Sequence, residues 1–214
     1  MSEGEKILIN TRWLMDHAAK VIYILRSATN ALKRVRDVVS EVLKSHGLSV
    51  SALDFGEDRE YVYIRPRHRL DHRSRQRYGE IIEGIGGKWS GERRRWEFSK
   101  KLERTQLFRL TEVVEATTDG KEALLAAALF ALRQSRREQE IPLWFAEALN
   151  DVLLKIVENV ESPDEAKERA REFLGYLRWF YEASDGIPLP RIRPEEVKKK
   201  VNAKWLLQQL GGKP

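Results

Sequence analysis

From Arg65 to Arg77 the chain reads Arg-Pro-Arg-His-Arg-Leu-Asp-His-Arg-Ser-Arg-Gln-Arg, six arginines against the single acid Asp71. Guanidinium groups this dense, without the carboxylates that neutralise an ordinary solvated face, are suited to charge-assisted, forked hydrogen bonds with phosphate oxygens. A second cluster follows in Lys88, Arg93, Arg94 and Arg95. Between Arg59 and Arg109 fifteen Lys and Arg face seven acids, whereas the other residues carry 24 basic against 26 acidic groups. The formal charge of +6 therefore comes from one quarter of the sequence. Tyr61, Tyr63, Trp89, Trp96 and Phe98 are threaded through it. A focused cationic field with aromatic faces beside it is the footprint of a nucleic-acid partner.

Other chemistry is argued against by what is missing at the right spacing. His68 and His72 bracket Asp71 four residues apart, but a metal needs further ligands. Neither His17 nor His46 has a reason to approach, and the neighbouring arginines repel a cation. Phosphate contact is the reading for both imidazoles. Asp54 and Glu60 are acids near strands, yet the residue two beyond Glu60 is Val62 where a two-metal nuclease would want a lysine. Gly84-Ile85-Gly86-Gly87 closes a helix instead of opening one, so it cannot cradle phosphate at a helix N-terminus, and no Gly-x-Ser-x-Gly elbow occurs. There is no cysteine. The expectation is a protein without catalytic activity, cofactor or metal.

These residues need elements to hold them. Leu14, Ala18, Val21, Ile22, Leu25, Leu32, Val35, Val39 and Leu43 recur at helical steps up to Gly47, which predicts one long helix or two with a break near Ser27–Asn30. Residues 48–66 alternate in twos around Gly56-Glu57-Asp58 and read as a hairpin that Pro66 ends. A helix between Asp71 and Ile85 and a second hairpin through Lys88-Trp89 and Arg94–Phe98 complete a β-β-α-β-β order, a sheet with one helix laid across it. Helices follow near 103–116, 121–138, 143–161, 164–183 and 194–210, with Pro142, Ser162-Pro163-Asp164-Glu165 and Pro194 as start signals. The stretch Asp185–Pro194, with its three prolines, reads as an extended strap, and Val197, Val201, Trp205 and Leu206 share one face of the last helix. The fold class is α+β, a small basic module (48–101) flanked by an N-terminal helical segment (1–47), a helical bundle (102–184) and a strap with a C-terminal helix (185–214).

Tyr61-Val62-Tyr63-Ile64-Arg65, the helix, Gly86-Gly87-Lys88-Trp89 and Trp96-Glu97-Phe98 together resemble a small Trp-rich β-α-β-β module of plasmid, phage and conjugation proteins, often found beside primase or helicase domains. The likeness covers about residues 60–100 and implies a role in nucleic-acid transactions. The chain departs from the pattern by inserting Arg67–Arg77 before the helix. Strand alternation separately puts Val62 and Ile64 toward the helix and Tyr61, Tyr63 and Arg65 on the other face. If Arg94, Trp96 and Phe98 share that second face, it forms an aromatic platform on which unstacked bases could lie. Large aromatics also dominate small cores, which assigns Trp89 and Trp96 to packing and leaves Tyr61 and Tyr63 open between the two roles.

The resulting expectation is a nucleic-acid-binding protein, DNA or RNA, contacting phosphates through Arg65, Arg67, His68, Arg69, His72, Arg73, Arg75, Arg77, Lys88, Arg93, Arg94 and Arg95, with stacking on Tyr61 and Tyr63. The rival readings are a nucleocapsid or ribonucleoprotein assembly subunit and an accessory subunit of a replication or nuclease complex. Five Asn and six Gln amid abundant ion-pair formers lean toward a heat-adapted source, and the resemblance toward a virus or plasmid. No apolar run approaches a membrane span, and Met1–Lys6 lacks a signal peptide's cationic start, so a cytoplasmic or virion location is expected. The helices could also serve self-association or a protein partner.

Overall fold

Asn10 starts the first helix by accepting the Trp13 amide at 2.9 Å, and α1 then runs Thr11–Arg26. In the computed structural model, which describes residues 7–211, Ser27 adopts an extended conformation that ends α1 and begins α2 (Ala28–Ser45). Of the two alternatives, two helices with a break near Ser27–Asn30 is the one that occurs, and the break redirects the apolar stripe. Leu14, Ala18, Val21, Ile22 and Leu25 of α1 enter one core, while Val35, Val39 and Leu43 of α2 enter another. Gly47, at φ +68°, closes α2 as the left-handed residue a helix stop favours. Met1–Lys6 lie outside the described residues.

The second core belongs to the sheet. Strands β1 (Leu53–Glu57), β2 (Tyr61–Pro66), β3 (Lys88–Ser90) and β4 (Arg95–Ser99) form an antiparallel sheet of order β1-β2-β4-β3, with α3 (His72–Gly84) between the two hairpins. The mixed α+β class and the β-β-α-β-β order are as read from sequence. Leu53, Val62, Ile64, Trp96 and Phe98 point inward, against Tyr78 and Ile82 of α3 and the α2 stripe. The sheet is thus covered by two helices, not one.

The other core is a helical bundle of α1 with α4 (Arg104–Ala116), α5 (Gly120–Arg133), α6 (Leu143–Asn159) and α7 (Pro163–Ala183). Ser162 caps α7 with Pro163 in its first turn. The helix expected over 121–138 changes character at its end, where Gln134–Glu138 form a π turn. This turn seats the bundle on the sheet module. Gly86, at φ +102°, approaches it so closely that a Cβ would fall 2.8 Å from the Ser135 carbonyl oxygen. Gln139 reaches back, its Nε2 donating to the Gly86 and Glu97 carbonyls. Trp144 at the start of α6 is fully buried in the sheet core and ties the two units from the other side.

The strap also has a fixed place. The Tyr23 hydroxyl donates to the Pro190 carbonyl (2.9 Å) and accepts the Ile192 amide (2.7 Å). Beyond it the single helix expected over 194–210 is two short ones, α8 (Pro194–Lys200) and α9 (Ala203–Gln209). Asn202 causes the division, because its side chain accepts the Trp205 amide and so begins a new helix. Val197, Val201 and Leu206 are nonetheless all buried, as their shared face implied.

Candidate nucleic-acid interface

Strand register decides which aromatics can meet a ligand. Val62 stands opposite Phe98, Ile64 opposite Trp96 and Tyr63 opposite Glu97. Directly opposed residues share a face. Trp96 and Phe98 therefore lie on the inner face, at 1% and 2% exposure, and the expected platform uniting them with Tyr61 and Tyr63 does not form. Arg94 is not in the strand at all. It sits in the Gly91–Arg94 turn at φ +50°.

The open face of the sheet is a closed ion-pair network. Arg95 lies over the Tyr63 ring, 4.2 Å from guanidinium carbon to ring centre, and donates to Asp58 (2.5 Å) and Glu97 (2.7 Å). Tyr63 is held from below as well, since its ring occupies the space where a side chain on Gly56 would stand. Arg93 pairs with Glu97 at 3.3 Å near Tyr61. Burial alone would raise the Asp58 carboxyl, but the Tyr61 amide, Arg95 and the Glu60 amide outweigh it and hold the group below the usual range. Arg65 and Arg67 share Asp54 at 3.7 and 2.8 Å, and Lys100 pairs with Glu57. Much of the positive charge counted in sequence is thus neutralised by acids from the adjoining hairpin.

Three arginines without an ion-pair partner among the described residues, Arg69, Arg75 and Arg94, gather at the end of the sheet. A groove of ≈ 860 Å³ runs between the β2–α3 connection, the first turns of α3 and the β3–β4 turn. Arg67, His68, Arg69, His72, Arg75 and Arg94 line it, and among the described residues no carboxylate does. Of its four arginines only Arg67 has an ion-pair partner among the described residues. Trp89, half-buried, forms an aromatic wall. Arg75 lies over its ring at 4.6 Å and Trp96 meets it edge-on at 4.7 Å. Only Arg67–Asp71 of the Arg67–Arg77 segment lie ahead of the helix, because α3 already begins at His72 under the Asp71 cap. Arg67 donates its backbone amide to the Ala52 carbonyl, and Leu70 packs on the sheet core, so the groove wall is anchored at several points.

Besides Arg65, Arg93 and Arg95 on the open face, three more expected phosphate contacts stand apart from this groove. Arg73 is exposed on α3, Arg77 turns to the His46 carbonyl, and Lys88 lies exposed on the open face opposite Glu97. Sequence reasoning treated Trp89 and Trp96 as equivalent core plugs, and the structure separates them. The signal available was position: Trp89 lies on the short edge strand and Trp96 on a central one.

A second concavity, ≈ 570 Å³ between α1, α2, α6 and α8, contains both signs of charge, including Lys20, Lys33, Lys155, Asp37 and Asp151. Burial pushes the Glu147 carboxyl there up to about 7 and the His17 imidazole down to about 4. Its mixed lining gives no preference for an anion. Comparison of the chain with protein-family models, curated proteins and solved structures finds no match in any of the three.

Proposed function

We propose that this protein is a non-enzymatic nucleic-acid-binding protein that holds backbone phosphates in the groove of Arg69, Arg75 and Arg94. The observation that carries the reading is the one-signed lining: three guanidinium groups without an ion-pair partner among the described residues, two imidazoles and an indole wall in one concavity. Ordinary solvated faces pair their charges, as the open face of this same sheet does through Asp54, Asp58 and Glu97. Leaving arginines this close together unneutralised costs stability, which an anionic ligand recovers. The likeness of residues 60–100 to the Trp-rich module supports the same role and makes a plasmid or virus a fitting source.

The test contrasts the two faces. Arg69, Arg75 and Arg94 changed together to Gln should abolish binding of labelled oligonucleotides. Tyr61→Ala should leave it intact, because that residue lies on the neutralised face. The reverse pattern would move the interface to the open face.

The assembly reading has one feature in its favour. Leu125 and Leu129 stand exposed one turn apart on α5, at 43% and 67%, between Glu122 and Arg133. Light scattering with and without nucleic acid separates the two: discrete particles support the first reading and large ordered assemblies the second. No helix among the described residues is long and apolar enough to cross a membrane.

A further inference from the structure

Gly79 is a residue the fold does not require. It lies inside α3 with ordinary helical backbone, and a Cβ built there would meet nothing nearer than 3.9 Å. Glycine in a helix interior costs about 1 kcal/mol relative to alanine, so neither packing nor backbone geometry accounts for it. Its missing side chain opens a pocket of ≈ 520 Å³, walled by Trp89 and Trp96 and continuous with the arginine groove through His72, Arg75 and Trp89, which line both.

We propose that this pocket receives the base of an unstacked nucleotide whose phosphates lie in the groove, so that the ligand is a single strand or a frayed end. The inference rests on the function proposed above and adds to it the strandedness of the ligand. Three observations converge. Trp89 already carries a planar guanidinium on its ring at 4.6 Å, the position a base would take or extend. The Trp96 indole Nε1 is buried without an acceptor among the described residues, and Glu83, which lines the pocket, offers a carboxylate oxygen. These two atoms lie 4.0 and 3.9 Å from the point where a Gly79 side chain would begin. The edge of a base presents a donor for the Glu83 carboxylate and an acceptor for the Trp96 indole, which a small side-chain shift must first uncover. Glu80 and Glu83 also line the pocket and would repel phosphate, so charge sorts the ligand: backbone into the groove, neutral base over Gly79.

The experiment compares two labelled single strands of equal phosphate number by fluorescence anisotropy, one of mixed sequence and one with every base removed, as DNA and as RNA. The native protein should bind the base-bearing strand about tenfold or more tightly than the abasic one. Gly79→Leu fills the pocket with a better helix former and should erase that preference while keeping the native affinity for the abasic strand. Should Gly79→Leu unfold, Trp89→Leu keeps an apolar cover on Trp96, removes the stacking wall and should erase the preference equally. A preference that survives in the folded variant, or native affinity equal for both strands, overturns the base pocket and leaves the phosphate groove standing. Native protein that binds neither strand overturns both readings.

Discussion

Arg94 should be a residue that binding needs and stability does not. It occupies the left-handed region at φ +50°, exposed, and without an ion-pair partner among the described residues. A side chain there costs about 1–2 kcal/mol that glycine avoids. Arg94→Gly recovers this strain but frees the unfolded chain, which returns about 0.4–1 kcal/mol of the gain. The net expectation, from the middle of these ranges, is about 0.5–1 kcal/mol of added stability, or a rise of about 1–4 °C in Tm for a chain of this size. Oligonucleotide affinity should meanwhile fall, and the salt dependence should become shallower by about one phosphate contact. Differential scanning fluorimetry and anisotropy on the same preparations read both quantities. Arg94→Asn, which tolerates the left-handed region, separates charge from backbone freedom and should lose the same affinity. If Arg94→Gly destabilises the protein, Arg94 is a structural turn residue. If binding is unchanged, it is not in the interface.

The mixed-charge cleft predicts opposite pH responses from two residues. The native state keeps a proton on Glu147 up to about pH 7, whereas an unfolded glutamate loses it near 4.5, so this contribution is complete below about pH 4.5 and is lost as pH rises to about 7. His17 behaves inversely, contributing above about pH 6.5 and losing that contribution as pH falls to about 4. Glu147→Gln should therefore be about 2–3 kcal/mol more stable than the native protein at pH 8 and indistinguishable from it at pH 4, by urea unfolding. Trp96→Ala should cost about 3–5 kcal/mol, as removal of a buried aromatic does, while Trp89→Ala should cost far less and lower oligonucleotide affinity instead. Gly86→Ala forces a Cβ against the Ser135 carbonyl at a φ few side chains adopt, and should cost about 2–3 kcal/mol in chemical unfolding.

Local signals read well. Ser162 caps the helix that follows it, Gly47 stops α2, and the alternation of Val62 and Ile64 fixes the inner face of β2. Pairing between strands was the hidden quantity. Alternation says that Trp96 and Phe98 share a face but not which face of the sheet it is, and only the opposition of Ile64 to Trp96 turns them inward. The same pairing brings Asp54 beside Arg65 and Asp58 beside Arg95, so the neutralised arginines could not be told from the free ones by counting charge. Gly79 was invisible for another reason. A glycine inside a helix announces a cost, and only the surrounding Trp89, Trp96 and Glu83 give that cost a use.

The slope of log affinity against log salt concentration tests the phosphate groove most directly. With three to four groove arginines on phosphates, the native protein on a single strand should give a slope of about −2 to −3 between about 50 and 200 mM salt. Changing Arg69, Arg75 and Arg94 to Gln should bring the slope close to zero. A native slope near zero, or a variant slope equal to the native one, would contradict the account.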